Sequence, residues 1–575
     1  MPEISAKKNE PAKTSRVHEM LKVGLSSKNK AEKLFTIKAM GILRKPEFSD
    51  SLVDVLSSPD PEIVESVIET LGKLGNPNAI KYLLPYLFDE IPEIADVAFK
   101  ALMCFNMRPV IPSVLKAASN DKPPTVRKRL LSLITGINDP KVAGAITDTL
   151  GQTQDPSILI EALSYFVKFP APDKSTIFKM LAGSNNWEVA MYADLALSRI
   201  GDESARSKLK KLAKSPASPM RHSLVTGLNK APMVQDREIF EILLRDPHPA
   251  IRMAALGGFD AFPASDRQPL ILELLGREKD EAIRVALYDR AIKEKSVLFF
   301  SEFQKLLTLS NEASKDRGRH GIIEMGQMVV EKILNGFSKM TLEMKEQMLL
   351  VLGEIGDRKA LPTLTTALSS KERWLKLNAI SGIERMREKP FAARFVEMLN
   401  TETDPWIVAT LISAISHLEG QPELESMKKF LSHQDGRVRA NAVEAISKVK
   451  SPEVFSILEP LLRDGNDRVR VNASVFLWKL GNHSIIDKLS VMAKEPSKWV
   501  RASAAYALGE IGDHEPVPVL LELLNDREDV VYRNTIEALG KIKDARSIIP
   551  LLKEKENKRV APEVFDLIFK SFSEN

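Results

Sequence analysis

Cysteine is almost absent: Cys104 stands alone in 575 residues. One thiol excludes an intrachain disulfide framework and any multi-cysteine zinc site, and fits a reducing compartment, so the cytoplasm is the expected location. Aromatic residues make up 6% of the chain and glycine is sparse, while Leu, Ala, Lys and Glu are plentiful. That balance favours helix over strand. Long apolar runs are missing too, and the opening stretch "MPEISAKKNEPAKTSR" has no apolar segment. Neither a membrane span nor a secretion signal is therefore expected. Charge of one sign is also scarce. The net charge is +5, but residues 1 to 50 hold 11 basic against 6 acidic side chains, and the remainder carries 71 of each. A neutral body supplies no bulk attraction for nucleic acid, which is not the expected partner.

Catalytic signatures are lacking as well. The eight histidines are scattered with no HExxH. His483 and His514 occupy equivalent positions in adjacent copies of a repeat, a separation of about 10 Å that is too long for one shared metal ion. No G-x-x-x-x-G-K-[ST], no dinucleotide fingerprint after a strand and no G-x-S-x-G occurs. Cys104 falls in the apolar run "ALMCFNM", where a buried structural thiol is expected. The chain is thus expected to have no catalytic residue, no metal site and no cofactor.

What is present is repetition. "DRVRVNASVFLWKLG", Asp467 to Gly481, has near copies in "GRVRANAVEAISKV" from Gly436 and "KWVRASAAYALGEIG" from Lys498, each 31 residues after the last. The apolar anchor at the first Val of VRxxAxxALG runs from Ile63 to Val560. Its steps are almost all 31 or 32 residues; with a polar Glu32 before it and a weak copy near Arg317 there are 18 units.

Each unit reads as two helices. In the second, apolar or small residues recur on one face, as in Val500, Ala504, Leu508 and Ile511. Asp60-Pro61, Asp155-Pro156 and Asp404-Pro405 place an N-cap before a proline that lacks only a superfluous N–H. Gly75, Gly201, Gly356, Gly481 and Gly512 close the helix where a left-handed residue is needed. The first helix is short and leucine-rich, as in "VPVLLELLNDR" from Val517 and "IIPLLKEKEN" from Ile548, with Pro362, Pro518 and Pro550 in its first turn. A lone hairpin leaves apolar faces uncovered, so the units must stack. The expected fold is an all-α solenoid of about 18 hairpins. Residues 1–15 are an expected polar, disordered tail, 16–300 an N-terminal array, and 344–575 a C-terminal array. Between them, 301–343 is either a hinge or a drifted repeat.

The copies "VRANAVEAISKV", "VRVNASVFLWKLG" and "VRASAAYALGEIGD" resemble HEAT repeats, of the short bacterial kind also found in phycobilisome-lyase-like proteins. The resemblance covers about residues 17 to 575 and is sharpest from Met344 to Lys543. It implies a helical solenoid whose second helices line a concave surface. It says less about function, because such repeats mostly form binding scaffolds and sometimes enzymes.

Three rows of residues are candidates for function. Arg127, Arg221, Arg252, Arg284, Arg439, Arg470 and Arg501 follow the anchor. They form either a basic ladder for an acidic ligand or an Asp–Arg ladder within the architecture, as between Asp435 and Arg439; the second explains the spacing without a ligand. Three residues past the anchor stand Asn378, Thr410, Asn441, Asn472, Ser503 and Asn534. By the resemblance this row faces the groove, with Val471 and Val475 on the same side of their helix. It binds an extended peptide backbone or else satisfies neighbouring turns. Trp374, Trp406 and Trp499 sit just before an anchor, with Trp187 one place earlier, and either anchor a partner or cover the turns beside them. The function expected is a non-enzymatic scaffold or adaptor that holds a protein or peptide in the concave groove. The alternative is a nucleic-acid role like that of HEAT-like DNA glycosylases, for which no catalytic carboxylate can be assigned. A third, by analogy alone, is lyase or chaperone action on bilin-bearing proteins.

Overall fold

The computed structural model describes residues 19, 21–117, 123–420, 422–557 and 559–573. The expected tail, 1–15, lies outside them. Among the described residues every regular element is a helix, and the hairpins follow one another in chain order as an all-α solenoid. The chain divides into two compact units, Met1–Arg290 and Ala291–Asn575. The segment 301–343 contains Phe300–Leu307 paired with Glu312–Glu324, then Val330–Gly336.

In the first unit the second helices include Pro61–Leu74, Pro92–Leu102, Pro156–Lys168, Trp187–Arg199 and Ser218–Leu228. Asp60 and Asp155 cap theirs by accepting from backbone N–H groups, Asp60 at 3.0 Å from Glu62 and Asp155 at 2.9 Å from Ser157. Gly75 then stops its helix at φ 66°. The first elements are shorter and tighten into 3-10 turns, as in Ile80–Leu83 followed by Leu84–Phe88 with Pro85 inside. Proline donates no N–H, so the regular α ladder cannot run through it. Cys104 corrects the expectation of a buried thiol: the helix ends at Leu102 and the side chain beyond it is exposed.

In the second unit the second helices, numbered here in order, are α1 (Glu312–Glu324), α2 (Leu342–Ile355), α3 (Arg373–Arg385) and α4 (Pro405–Glu419). There follow α5 (Gly436–Ser447), α6 (Asp467–Lys479), α7 (Lys498–Ile511), α8 (Asp529–Ile542) and α9 (Pro562–Ser573). Each packs on the next. Ala442, Ala473 and Ala504 are fully buried at these crossings, and Gly353 of α2 meets the backbone of Gly382 of α3 so closely that a Cβ would stand 2.4 Å from its Cα. Small residues are needed because they set how near two helix axes can come.

The arginine row belongs to this architecture. Arg221 grips Asp246 with Nε and Nη2 at 2.5 and 3.0 Å, Arg439 grips Asp464 at 2.9 and 2.7 Å, and Arg501 grips Asp526 at 2.7 and 3.1 Å. The pair expected along one helix, Asp435 with Arg439, is not made. Asp435 holds Arg437 instead, at 3.0 Å, while Arg439 crosses to the turn of the following repeat. Burial alone would raise the Asp464 carboxyl, but the Arg439 guanidinium and the Asn466 N–H outweigh it and hold it below the usual range.

Candidate functional site

A residue just before the anchor and one three places after it are four apart, so they share a helix face. That face brings together Trp374 with Asn378 on α3, Trp406 with Thr410 on α4, Arg437 with Asn441 on α5, Arg468 with Asn472 on α6, and Trp499 with Ser503 on α7. All three tryptophans are exposed, at 50% for Trp374, 43% for Trp406 and 56% for Trp499. Trp374 and Trp406 meet edge to face, with ring centroids 6.0 Å apart. The Arg437 guanidinium lies over Trp406 at 3.9 Å from its centroid, a cation–π contact. Asp404 caps α4 and also pairs with Arg373 at 2.6 Å. The result is a continuous strip of tryptophan, tryptophan and arginine across three successive repeats.

Trp374 also borders a cleft of about 860 Å³ that crosses α1, α2 and α3, with His320, Glu346, Leu350, Asn378 and Arg385 among its walls. Most charges in it are neutralised: Lys315 pairs with Glu343 at 2.7 Å, and Arg385 with Glu354. Among the described residues Glu346 has no such partner, and burial, together with Glu343 and Glu372, raises its carboxyl. Further along the face His417, which sequence reasoning passed over, lies between two carboxylates, with Nδ1 on Glu384 and Nε2 3.5 Å from Glu444. No repeat signal marks it, since Glu384 lies 33 residues before His417 and Glu444 lies 27 after it. No cluster of groups able to hold a metal ion occurs among the described residues.

The asparagines are placed differently from the tryptophans. Asn378, Asn441, Asn472 and Asn534 donate from Nδ2 to the carbonyls of Glu346, Ala409, Ala440 and Ala502 on the preceding second helix, at 2.9, 2.7, 3.2 and 2.9 Å. Each carbonyl sits inside a helix, where its second lone pair is free to accept. Asn441 Oδ1 additionally accepts from Arg468 Nη2 at 2.9 Å. Thr410 and Ser503 turn back to their own helices, bonding the Trp406 and Trp499 carbonyls at 2.8 Å. Ser503 is buried and also accepts from Arg470. Val475, expected to be exposed beside Asn472, is buried, with only 8% of its surface exposed.

The strip carries a pH dependence. Arg437 bonding, ahead of the Arg437 N–H, holds the Asp435 carboxyl down at about 2 against burial. A depressed carboxyl stabilises the fold at pH values above its unfolded value near 3.8, and that contribution disappears as the pH falls through about 2. Asp435→Asn keeps the cap but not the ion pair. Its melting temperature is expected to lie below wild type at pH 5 and to converge on it by pH 2.

With the geometry in hand, comparison with known proteins is direct. Residues 19–103, 330–416, 420–479 and 485–561 match the family of HEAT repeats. These stretches make up more than half of the chain, which belongs to that family. The curated proteins give no match. Among solved structures, YibA of E. coli is 21% identical, with 46% of this chain and 98% of that one covered at a TM-score of 0.31. Human deoxyhypusine hydroxylase, in complex with glycerol, is 17% identical, with 44% and 97% covered at 0.22. Yeast importin-beta (Kap95p) is 13% identical, with 96% and 81% covered at 0.32. Nothing about activity follows from these three.

Proposed function

We propose that the chain is a non-enzymatic scaffold that binds a protein or peptide on the second-helix face of the unit Ala291–Asn575. The observation that carries this reading is the exposed Trp374–Trp406–Arg437 strip beside the 860 Å³ cleft. Aromatic and arginine side chains supply most of the affinity in protein interfaces, and large rings left half in water gain most when a partner covers them. No helix among the described residues is long and apolar enough to cross a membrane.

The test compares two double variants of the full chain. Trp374→Ala with Trp406→Ala is expected to abolish capture of a partner from the host's own extract while leaving the melting temperature within a degree or two. Asn441→Ala with Asn472→Ala is expected to lower the melting temperature, because each lost bond between repeats is worth about 1 kcal/mol. Capture that survives loss of both tryptophans would move the site elsewhere. Tight binding of duplex DNA with a steep salt dependence would instead favour the nucleic-acid alternative.

A further inference from the structure

The residue just before the anchor changes along the solenoid, and with it the way each rung is filled. Arg437, from α5, lies over Trp406 of α4 at 3.9 Å from the ring centroid. Arg468, from α6, donates to Asn441 Oδ1 of α5 at 2.9 Å. In both places this residue of the following copy carries a guanidinium back to the copy before it. At α3 the following copy offers Trp406 instead, so no arginine returns. Trp499 has Lys498 at 5.6 Å from its ring, whereas Trp374 meets the ring of Trp406 and, among the described residues, has no cation over it. Asn378 uses its Nδ2 on the Glu346 carbonyl at 2.9 Å, and among the described residues its Oδ1 accepts from nothing. The chain thus builds an arginine into two rungs and leaves the same two acceptors, an indole face and an amide oxygen, unfilled on α3.

Both acceptors border the cleft of about 860 Å³, and so does Glu346. Trp374 stands one turn before Asn378, which is bonded to the backbone of Glu346, so ring, amide oxygen and carboxylate border one space. Its charge is negative once every ion pair is counted. Lys315 cancels Glu343, and Arg385 cancels Glu354. Arg319 alone serves two carboxylates, Glu312 at 2.7 Å and Asp316. With Glu346 added, five carboxylates meet three cations; counting histidine as neutral, two negative charges are left over. Burial and the like charges of Glu343 and Glu372 raise the Glu346 carboxyl, a cost that a cation beside it would remove. A carboxylate ligand would be repelled here, and a neutral one would leave the surplus in place. A cation is the complementary occupant. Of the two basic side chains arginine fits better, because its planar guanidinium can stack on an indole while donating to acceptors in its own plane.

We propose that this cleft receives an arginine side chain of the partner protein, its guanidinium against the Trp374 ring and donating to Asn378 Oδ1 and to the Glu346 carboxylate. The arginine pocket rests on the reading of the tryptophan strip as a docking surface, and it fixes the charge of what docks there.

Blocked peptides acetyl-Ala-Ala-X-Ala-Ala-amide, with X arginine, lysine, citrulline or glutamate, test it when titrated into the full chain and followed by NMR of the indole N–H signals. The arginine peptide is expected to shift the Trp374 signal saturably, the lysine peptide to bind more weakly, and the glutamate peptide not at all. Citrulline keeps the shape without the charge and should bind about tenfold more weakly than arginine or worse. Glu346→Gln should weaken the arginine peptide by about tenfold. It should not lower the melting temperature, because it takes a carboxylate from among like charges and breaks no ion pair. Absence of a saturable shift, equal binding of the citrulline peptide, tighter binding of the lysine peptide or indifference to Glu346→Gln would each overturn the arginine pocket. Capture from the host's extract separates that failure from failure of the strip. If Trp374→Ala with Trp406→Ala still abolishes capture, the strip docks its partner without an arginine in the cleft.

Discussion

Asp236→Ala is expected to destabilise the repeats around it by about 3–5 kcal/mol, against about 0–1 kcal/mol for an exposed ion pair. The Arg199 and Asp236 side chains are 0% and 1% exposed and meet at 2.8 Å. Arg199 also donates to the Ala231 carbonyl at 3.0 Å, and Asp236 accepts from the Met233 N–H at 3.1 Å. Removing the carboxylate leaves a guanidinium buried without a counter-charge and frees the Met233 N–H. Arg199 already has a buried Nε with no partner, so little remains to absorb the loss. Hairpins contact mainly their neighbours, so the damage should be local. Hydrogen exchange is the suitable measurement. Protection should fall by more than a hundredfold in Trp187–Arg199 and Arg237–Leu243 and hardly change in Pro61–Leu74. The double variant Arg199→Met with Asp236→Leu should regain most of it, since an apolar pair needs no counter-charge. Loss confined to less than tenfold would show that water reaches the pair.

Gly353→Ala is the second large effect. In a helix interior this change alone would gain up to about 1 kcal/mol in propensity. Here the new Cβ would stand 2.4 Å from the Gly382 Cα, backbone rather than a movable side chain. The helices must separate, and overpacking costs about 1–3 kcal/mol or more. The sterics outweigh the propensity, and the melting temperature should fall. Gly144, within Pro140–Gln152, is the control, because a Cβ there meets nothing within 4 Å. Gly144→Ala should raise stability slightly. If both changes raise it, the close crossing of α2 and α3 is not present in solution.

Why some features could be read from sequence and others could not follows from the range of each interaction. Asp60, Asp155 and Asp404 cap their helices as their dipeptides imply, and Gly75, Gly356 and Gly512 take up the left-handed conformation, because caps are decided within a few residues. The core faces were equally legible, with Ala504 and Leu508 fully buried. Periodicity tells which residues share a face, but not which neighbour that face meets. Asn472 was therefore visible as a member of a row, whereas its bond to Ala440, 32 residues back, was not. Arg439 was expected to pair with Asp435 beside it and also to reach the adjacent repeat; the structure makes only the second contact, with Asp464, 25 residues forward. Cys104 was misjudged because its neighbours in sequence are apolar, while the helix that would bury it ends at Leu102 and leaves the thiol exposed. The Trp374–Trp406 contact could have been anticipated, since both residues precede an anchor in consecutive copies.

The bond from each asparagine to a carbonyl in the previous copy has a consequence for how such a chain can evolve. Excising residues 438–468, one 31-residue period, would bring Asn472 to face the Ala409 carbonyl that Asn441 faces now. The donor, the acceptor and the helix between them would be unchanged in kind. Unequal recombination can thus lengthen or shorten the array in whole periods without any new contact having to be invented, and the number of repeats becomes a heritable variable in its own right.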